Sequence, residues 1–239
     1  MQHVYLVGGE PLILERHYEF LQHCVEKGYS KDITLEYNTN LTNIQPRALE
    51  LWSNFKQVQF GISMDGIGDT LEYVRNPLKS KLIEKNLRKL DEVGTQTMNF
   101  RAWIAFTIGA LNAFHLPEFL KWKIEQDFAV ISPMLKNNPK PFANVHPIHK
   151  PHELSIRFLP KEVKDQVRDC WEVFRTEFRE TIVDTIDFHS IAKKNPHAMG
   201  VIKPASRQWA IDKMDHLLDT NIKFMYGEDW FTEENNKNF

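Results

Sequence analysis

Val4-Tyr5-Leu6-Val7-Gly8-Gly9-Glu10-Pro11 decides how this chain is read. A short apolar run ends in two glycines, a carboxylate and a proline, and a helical pattern follows. The run has the length of a buried strand. The glycines open φ values closed to other residues and let a ligand approach the backbone. Pro11 fixes the turn and removes a donor. Glu10 is thereby presented at the C-terminal end of a strand, where α/β sheets and barrels hold their ligands.

The same pattern repeats downstream. Strands are expected at 4–7, 33–37, 57–62, 97–107 and 128–132. Helices are expected at 13–27, 46–54, 79–93 and 115–126, with Gly28 and Gly94 as stops after the first and third. Strands that alternate with helices argue for parallel βαβ units with right-handed crossovers. Helices on both faces of an open sheet, or closure towards a barrel, would each cover such strands, and the pattern alone does not separate the two. Beyond residue 135 the character changes. Residues 136–159 are rich in Pro, Asn, Lys and His and read as a linker. A strong helix is expected at 160–183, with Val163, Val167, Cys170, Trp171, Phe174 and Phe178 on one face. A short helix is expected at 189–195, and another, capped by Ser206, runs to 218. The polar end, 233–239, reads as frayed. The expected organisation is an α/β unit over 1–135, the linker, and a helical region over 160–239.

Composition narrows the function. Thirty basic against 32 acidic residues give a formal charge of −2, which argues against a nucleic-acid binder. No apolar stretch is long enough to span a membrane. There is no signal-peptide pattern, and two cysteines, Cys24 and Cys170, support no disulfide framework. The expectation is a cytoplasmic protein with neither a membrane nor a nucleic-acid partner. Sixteen Phe and six Trp promise a large core.

Each of the first three strands ends in polar residues: Glu10, then Asn38-Thr39-Asn40, then Ser63 and Asp65. Parallel strands bring these tips to one rim, a setting suited to a small polar ligand with an amine, a carboxylate and hydroxyls. Arg75, in Glu72-Tyr73-Val74-Arg75, adds a guanidinium able to hold a carboxylate in a fork.

In this order, Val7-Gly8-Gly9-Glu10-Pro11-Leu12, Asn38-Thr39-Asn40, Ile62-Ser63-Met64-Asp65-Gly66 and Glu72-Tyr73-Val74-Arg75 resemble the core of radical S-adenosylmethionine (SAM) enzymes, most nearly the twitch-domain type. The resemblance covers about residues 4–133. It implies a partial TIM-type (β/α) barrel that binds SAM at the strand ends. Gly8, Gly9 and Glu10 would hold the methionine amino group. Ser63 and Arg75 would hold its carboxylate or the ribose. Thr39 and Asn40 would border the site, and Asp65 would lie near the ribose or substrate. The chain departs from the family at its defining feature, a Cys-x3-Cys-x2-Cys loop whose thiolates bind a [4Fe-4S] cluster. The expectation is therefore a barrel without its first βα unit. The enzyme would be complete only when that segment is supplied, with an electron donor and a small-molecule or peptide substrate as partners. A non-catalytic SAM-binding or interaction remnant is the alternative.

Two other readings are open. Glu10 and Asp65 suit the acid/base pair of a TIM-like hydrolase. His146, His149 and His152 form H-x2-H-x2-H, a metal-ligand spacing in a proline-stiffened loop. Cys170 lies on an apolar helix face and reads as a small core residue, and Cys24, beside Val25, reads as core or half-buried.

Overall fold

Five parallel strands form one sheet in the order in which they occur in the chain. They are β1 (His3–Leu6), β2 (Thr34–Thr39), β3 (Gln57–Ser63), β4 (Phe100–Ile108) and β5 (Asn144–Pro147). Among the described residues eight α-helices accompany them: α1 (Glu15–Glu26), α2 (Pro46–Trp52), α3 (Gly68–Val74), α4 (Ser80–Thr97), α5 (Leu116–Glu125), α6 (Lys161–Glu180), α7 (Phe188–Lys194) and α8 (Arg207–Met225). The computed structural model describes residues 2–97, 99–195 and 204–228. The end at 233–239 lies outside the described residues.

The chain is of the α/β class. Its strand order has no reversal, and crossovers that follow the right-handed rule of parallel βαβ units place the helices connecting successive neighbours on one face of the sheet. A flavodoxin-like sheet would reverse its strand order at a switch point. This sheet is wound in one direction only.

Alternation along the strands produces two unlike faces. One carries Leu35, Tyr37, Val58, Phe60, Ile62, Phe100, Ile104 and Phe106, all essentially without exposure. The helices cover it. Trp52 of α2 meets Tyr37, Phe60 and Phe100 with ring centroids 5.0–5.9 Å apart, and Phe119 of α5 meets Phe106 at 4.6 Å. Burying each such side chain stabilises the fold by about 1.5–3 kcal/mol. The opposite face carries Tyr5, Glu36, Asn38, Gln59, Ser63, Trp103 and Thr107, which are exposed or half-buried.

Local chemistry sets the helix ends. After α1, Gly28 takes φ +73°, its N–H bonds Val25 O, and Tyr29 N–H bonds Cys24 O, a Schellman ending. Ser206 caps α8 by accepting from Trp209 N–H. That helix runs past the expected stop at 218 because buried Phe224 and Met225 extend its apolar face, and it ends before Gly227. Gly94 is not a stop. It lies inside α4, where a Cβ would come within 3.0 Å of both Val130 methyl carbons, so it is a close-packing residue. The longer α4 delays β4 to Phe100.

The fifth strand also differs from expectation. Residues 128–132 make one parallel bridge, Ala102 to Ile131. Ser132 N–H donates to Ala102 O at 2.8 Å, and Ser132 Oγ accepts from Ile104 N–H at 3.1 Å. Pro133 follows and has no N–H to continue a ladder. The segment read as linker supplies β5 instead, which pairs with Ala105–Ile108. Of the two places open to Cys24 the structure shows the buried one, whereas Cys170, read as core, is only half-buried on α6.

The helical region docks on the α/β unit through Trp171 of α6. Its indole donates to Ala113 O at 2.9 Å, and Phe142 packs edge-on against Phe178. α6 and α8 are bridged by Arg175–Asp219 and Arg179–Asp215.

Candidate functional site

The C-terminal strand ends share one edge because every strand pair is parallel. Two clusters of sequence-predicted residues lie along it, with Ser63 between them.

The first cluster joins β1 to β2. Glu10 is 8% exposed and its carboxylate is fully engaged. Oε1 accepts from Leu12 N–H at 3.2 Å and from the Thr39 hydroxyl at 2.7 Å. Oε2 accepts from Asn40 N–H at 2.8 Å. Thr39 Oγ1 accepts from Leu41 N–H, and Asn40 Oδ1 accepts from both the N–H and the hydroxyl of Thr42. Asx- and ST-type bonds of this sort fix a turn, so Glu10, Thr39 and Asn40 form a clamp between two strand ends. What stays open here is backbone. Gly8 (φ +91°) and Gly9 (φ +52°) are exposed, and a Cβ on either would meet nothing within 4 Å. Their N–H and C=O groups make no hydrogen bond among the described residues.

The second cluster joins β3 to β4. Asp65 is 5% exposed. Oδ1 accepts from Thr107 N–H and Oδ2 from Arg75 Nε, each at 2.6 Å. Arg75 follows α3 and keeps about a quarter of its side chain exposed. Nε is held by Asp65, and neither terminal nitrogen has a partner among the described residues. The guanidinium is aimed while its fork stays free, the arrangement suited to an anion. Ser63 stands in register with Ala105, half-buried, its hydroxyl without a partner among the described residues.

Two residues that the sequence reading passed over hold this cluster. Asn112 donates to both Asp65 O and Thr107 O at 2.9 Å and accepts from Gly109 N–H. His115 Nε2 accepts from Ile67 N–H at 3.0 Å, and Nδ1–H faces Glu118 at 2.9 Å. Burial lowers the His115 pKa, partly offset by Glu118, the direction that favours Nε2 as an acceptor for Ile67 N–H. The rule that picked out three strand ends applies equally to the polar residues after β4 and would have found both.

Glu10 and Asp65 each spend both oxygens on protein donors, which disfavours a freely exchanging acid/base pair. The three histidines go to different places. His146 lies on β5, His149 packs edge-on against Phe224, and His152 stacks on Phe158. Among the described residues no group of three His, Cys, Asp or Glu is placed to hold a metal ion. Two clefts, about 470 and 350 Å³, lie away from the rim, beside Asp127 and Phe128. No described helix is long and apolar enough to cross a membrane.

No protein-family model matches the chain, and no curated protein matches it either.

Proposed function

We propose that the strand-end rim binds S-adenosylmethionine, as the SAM-holding part of a radical SAM-type core built on an open (β/α) barrel. One observation carries the reading. A parallel sheet in sequential order brings all four motifs to a single edge, with Arg75 anchored by Asp65 and its fork unspent. The barrel form draws support from the one-way winding and from the outer edge of β1, which pairs with no described strand.

Each residue has a role in this reading. The terminal nitrogens of Arg75 take the methionine carboxylate. The open backbone of Gly8 and Gly9 takes the amino group, with the Glu10 carboxylate close behind it as a fixed negative charge. Ser63 bonds a ribose hydroxyl. Thr39, Asn40 and Asp65 act through their neighbours, as positioning residues.

A cluster of the family's kind needs three thiolates. The chain has two cysteines, one buried in α1 and one on α6, so its residues do not fit such a cluster. SAM binding, and not SAM cleavage, is therefore the activity proposed for this chain. Radical chemistry would belong to an assembly in which another segment supplies the thiolates. Titration calorimetry with SAM tests the reading. Arg75→Met should weaken binding about tenfold or more, the loss expected for charge-assisted hydrogen bonds. Absence of binding by the unaltered chain at about 1 mM SAM would end the proposal.

A further inference from the structure

Parallel sheets are normally covered on both faces. Here the face opposite the helices is exposed or half-buried along its length, Gly61 apart. Its residues are not those of a surface awaiting an apolar layer. Asn38, Gln57, Gln59, Glu36, Ser63 and Thr107 surround two aromatic side chains, Tyr5 and Trp103. Several of its polar contacts run along the face: Asn38 donates to Tyr5, Gln59 donates to Gln57, and His3 Nε2 lies 3.0 Å from Glu36 Oε2. A polar floor of this kind suits a hydrated ligand.

The centre of the floor is specific. Asn38, Gly61 and Trp103 are direct cross-strand neighbours on β2, β3 and β4. A Cβ on Gly61 would stand 2.6 Å from Asn38 Oδ1 and 3.3 Å from Trp103 Cζ2 and Nε1. The glycine therefore lets the amide and the indole close in above the sheet from either side. Asn38 Nδ2 gives one of its two N–H groups to the Tyr5 hydroxyl at 2.6 Å, so the amide offers Oδ1 and one remaining N–H. Oδ1, the indole N–H of Trp103 and the Ser63 hydroxyl have no partner among the described residues. Ser63 lies two residues beyond Gly61 on the same face, about 6.6 Å along the strand. An amide and a hydroxyl thus flank a half-buried indole that brings its own N–H donor.

We infer that this face binds a planar nitrogen heterocycle of the nucleobase type, stacked on Trp103 and bonded along its edge by Asn38 and Ser63. Nucleobases combine a flat ring with adjacent donors and acceptors, and they stack on aromatic side chains without needing charge. The inference stands on the sheet face and does not require SAM to bind, although Ser63, at the end of β3, is shared with the rim reading.

Guanosine is the probe, followed by ¹H–¹⁵N spectra of the full chain. The indole signals of Trp52 and Trp171 serve as internal controls, because both N–H groups are already bonded inside the core. The Trp103 indole signal should shift saturably at about 0.1–1 mM guanosine, while the Gly8 and Gly9 amides stay still. Trp103→Leu, followed on the Gly61 amide, should bind about tenfold more weakly with the control signals unmoved. A Trp103 signal static at about 5 mM guanosine would overturn the inference. Shifts confined to Gly8 and Gly9 would also overturn it, by moving the ligand to the rim. Guanosine binding at Trp103 in a chain that fails to bind SAM would leave this inference standing alone.

Discussion

Replacing His17 with Gln should remove a defined part of the acid sensitivity of this fold. His17 lies on α1, 7% exposed, with Nε2 2.8 Å from the Tyr37 hydroxyl. Tyr37 already accepts from Trp52 Nε1–H, so its own proton is best donated to His17. That leaves the imidazole proton on Nδ1, where it has no partner among the described residues. Burial, reinforced by the Arg47 charge, lowers the pKa of His17 from 6.5 to about 4. The unfolded chain then binds a proton over a pH range in which the native state does not, so stability falls as pH falls from about 6.5 to about 4. At 1.36 kcal/mol per pH unit, the loss assigned to His17 is at most about 3 kcal/mol. Guanidinium unfolding of both proteins between about pH 7 and pH 4 gives the difference in stability. Wild type minus His17→Gln should drop by about 2–3 kcal/mol across that range. Parallel curves for the two proteins would show that the imidazole is solvated or paired, and would refute the argument.

Three further substitutions probe other parts of the structure. Asp65→Asn keeps an acceptor for Thr107 N–H but sets an amide donor against Arg75 Nε, so it should cost about 2 kcal/mol by chemical denaturation; no change would mean the pair is not formed. Gly94→Ala should destabilise by about 1 kcal/mol, because overpacking against Val130 outweighs the gain in helix propensity. The same change in a Val130→Ala background should instead stabilise, and a loss of equal size there would remove Val130 as the cause. Lys123 is 2% exposed, and burial lowers its pKa from 10.5 to about 8. Its contribution should therefore rise by up to about 3 kcal/mol between about pH 8 and pH 10.5, a rise that Lys123→Met abolishes; a rise that persists in the variant would assign it to another group.

Much of the sheet is legible in the sequence, since β1, β2 and β3 are apolar runs bounded by turn residues. β5 is not. Asn144-Val145-His146-Pro147 is four residues long, ends in proline and lies within a stretch rich in Pro, Asn, Lys and His. It becomes a strand because β4 offers an open edge after Pro133 ends the first attempt, a tertiary cause with no local signal. Gly94 misleads for a similar reason, since a glycine near a helix end reads as a stop until Val130 is known to lie against it. At the rim, residue types point to a polar mouth, yet the sequence does not show which donors a carboxylate will meet. Glu10 therefore reads as facing a ligand, while the structure engages it with Leu12, Thr39 and Asn40. Trp103 and Asn38 are visible as alternating residues, but their meeting above Gly61 depends on cross-strand register, which no single strand contains.

The most direct test follows the Gly8 and Gly9 amides and the Arg75 Nε–H by NMR during a titration with S-adenosylmethionine. The three signals should shift together along one saturable curve, because methionine amine and carboxylate would engage both ends of the rim at once. Signals that stay fixed at about 1 mM ligand, or that follow separate curves, would contradict a common binding site at the strand ends.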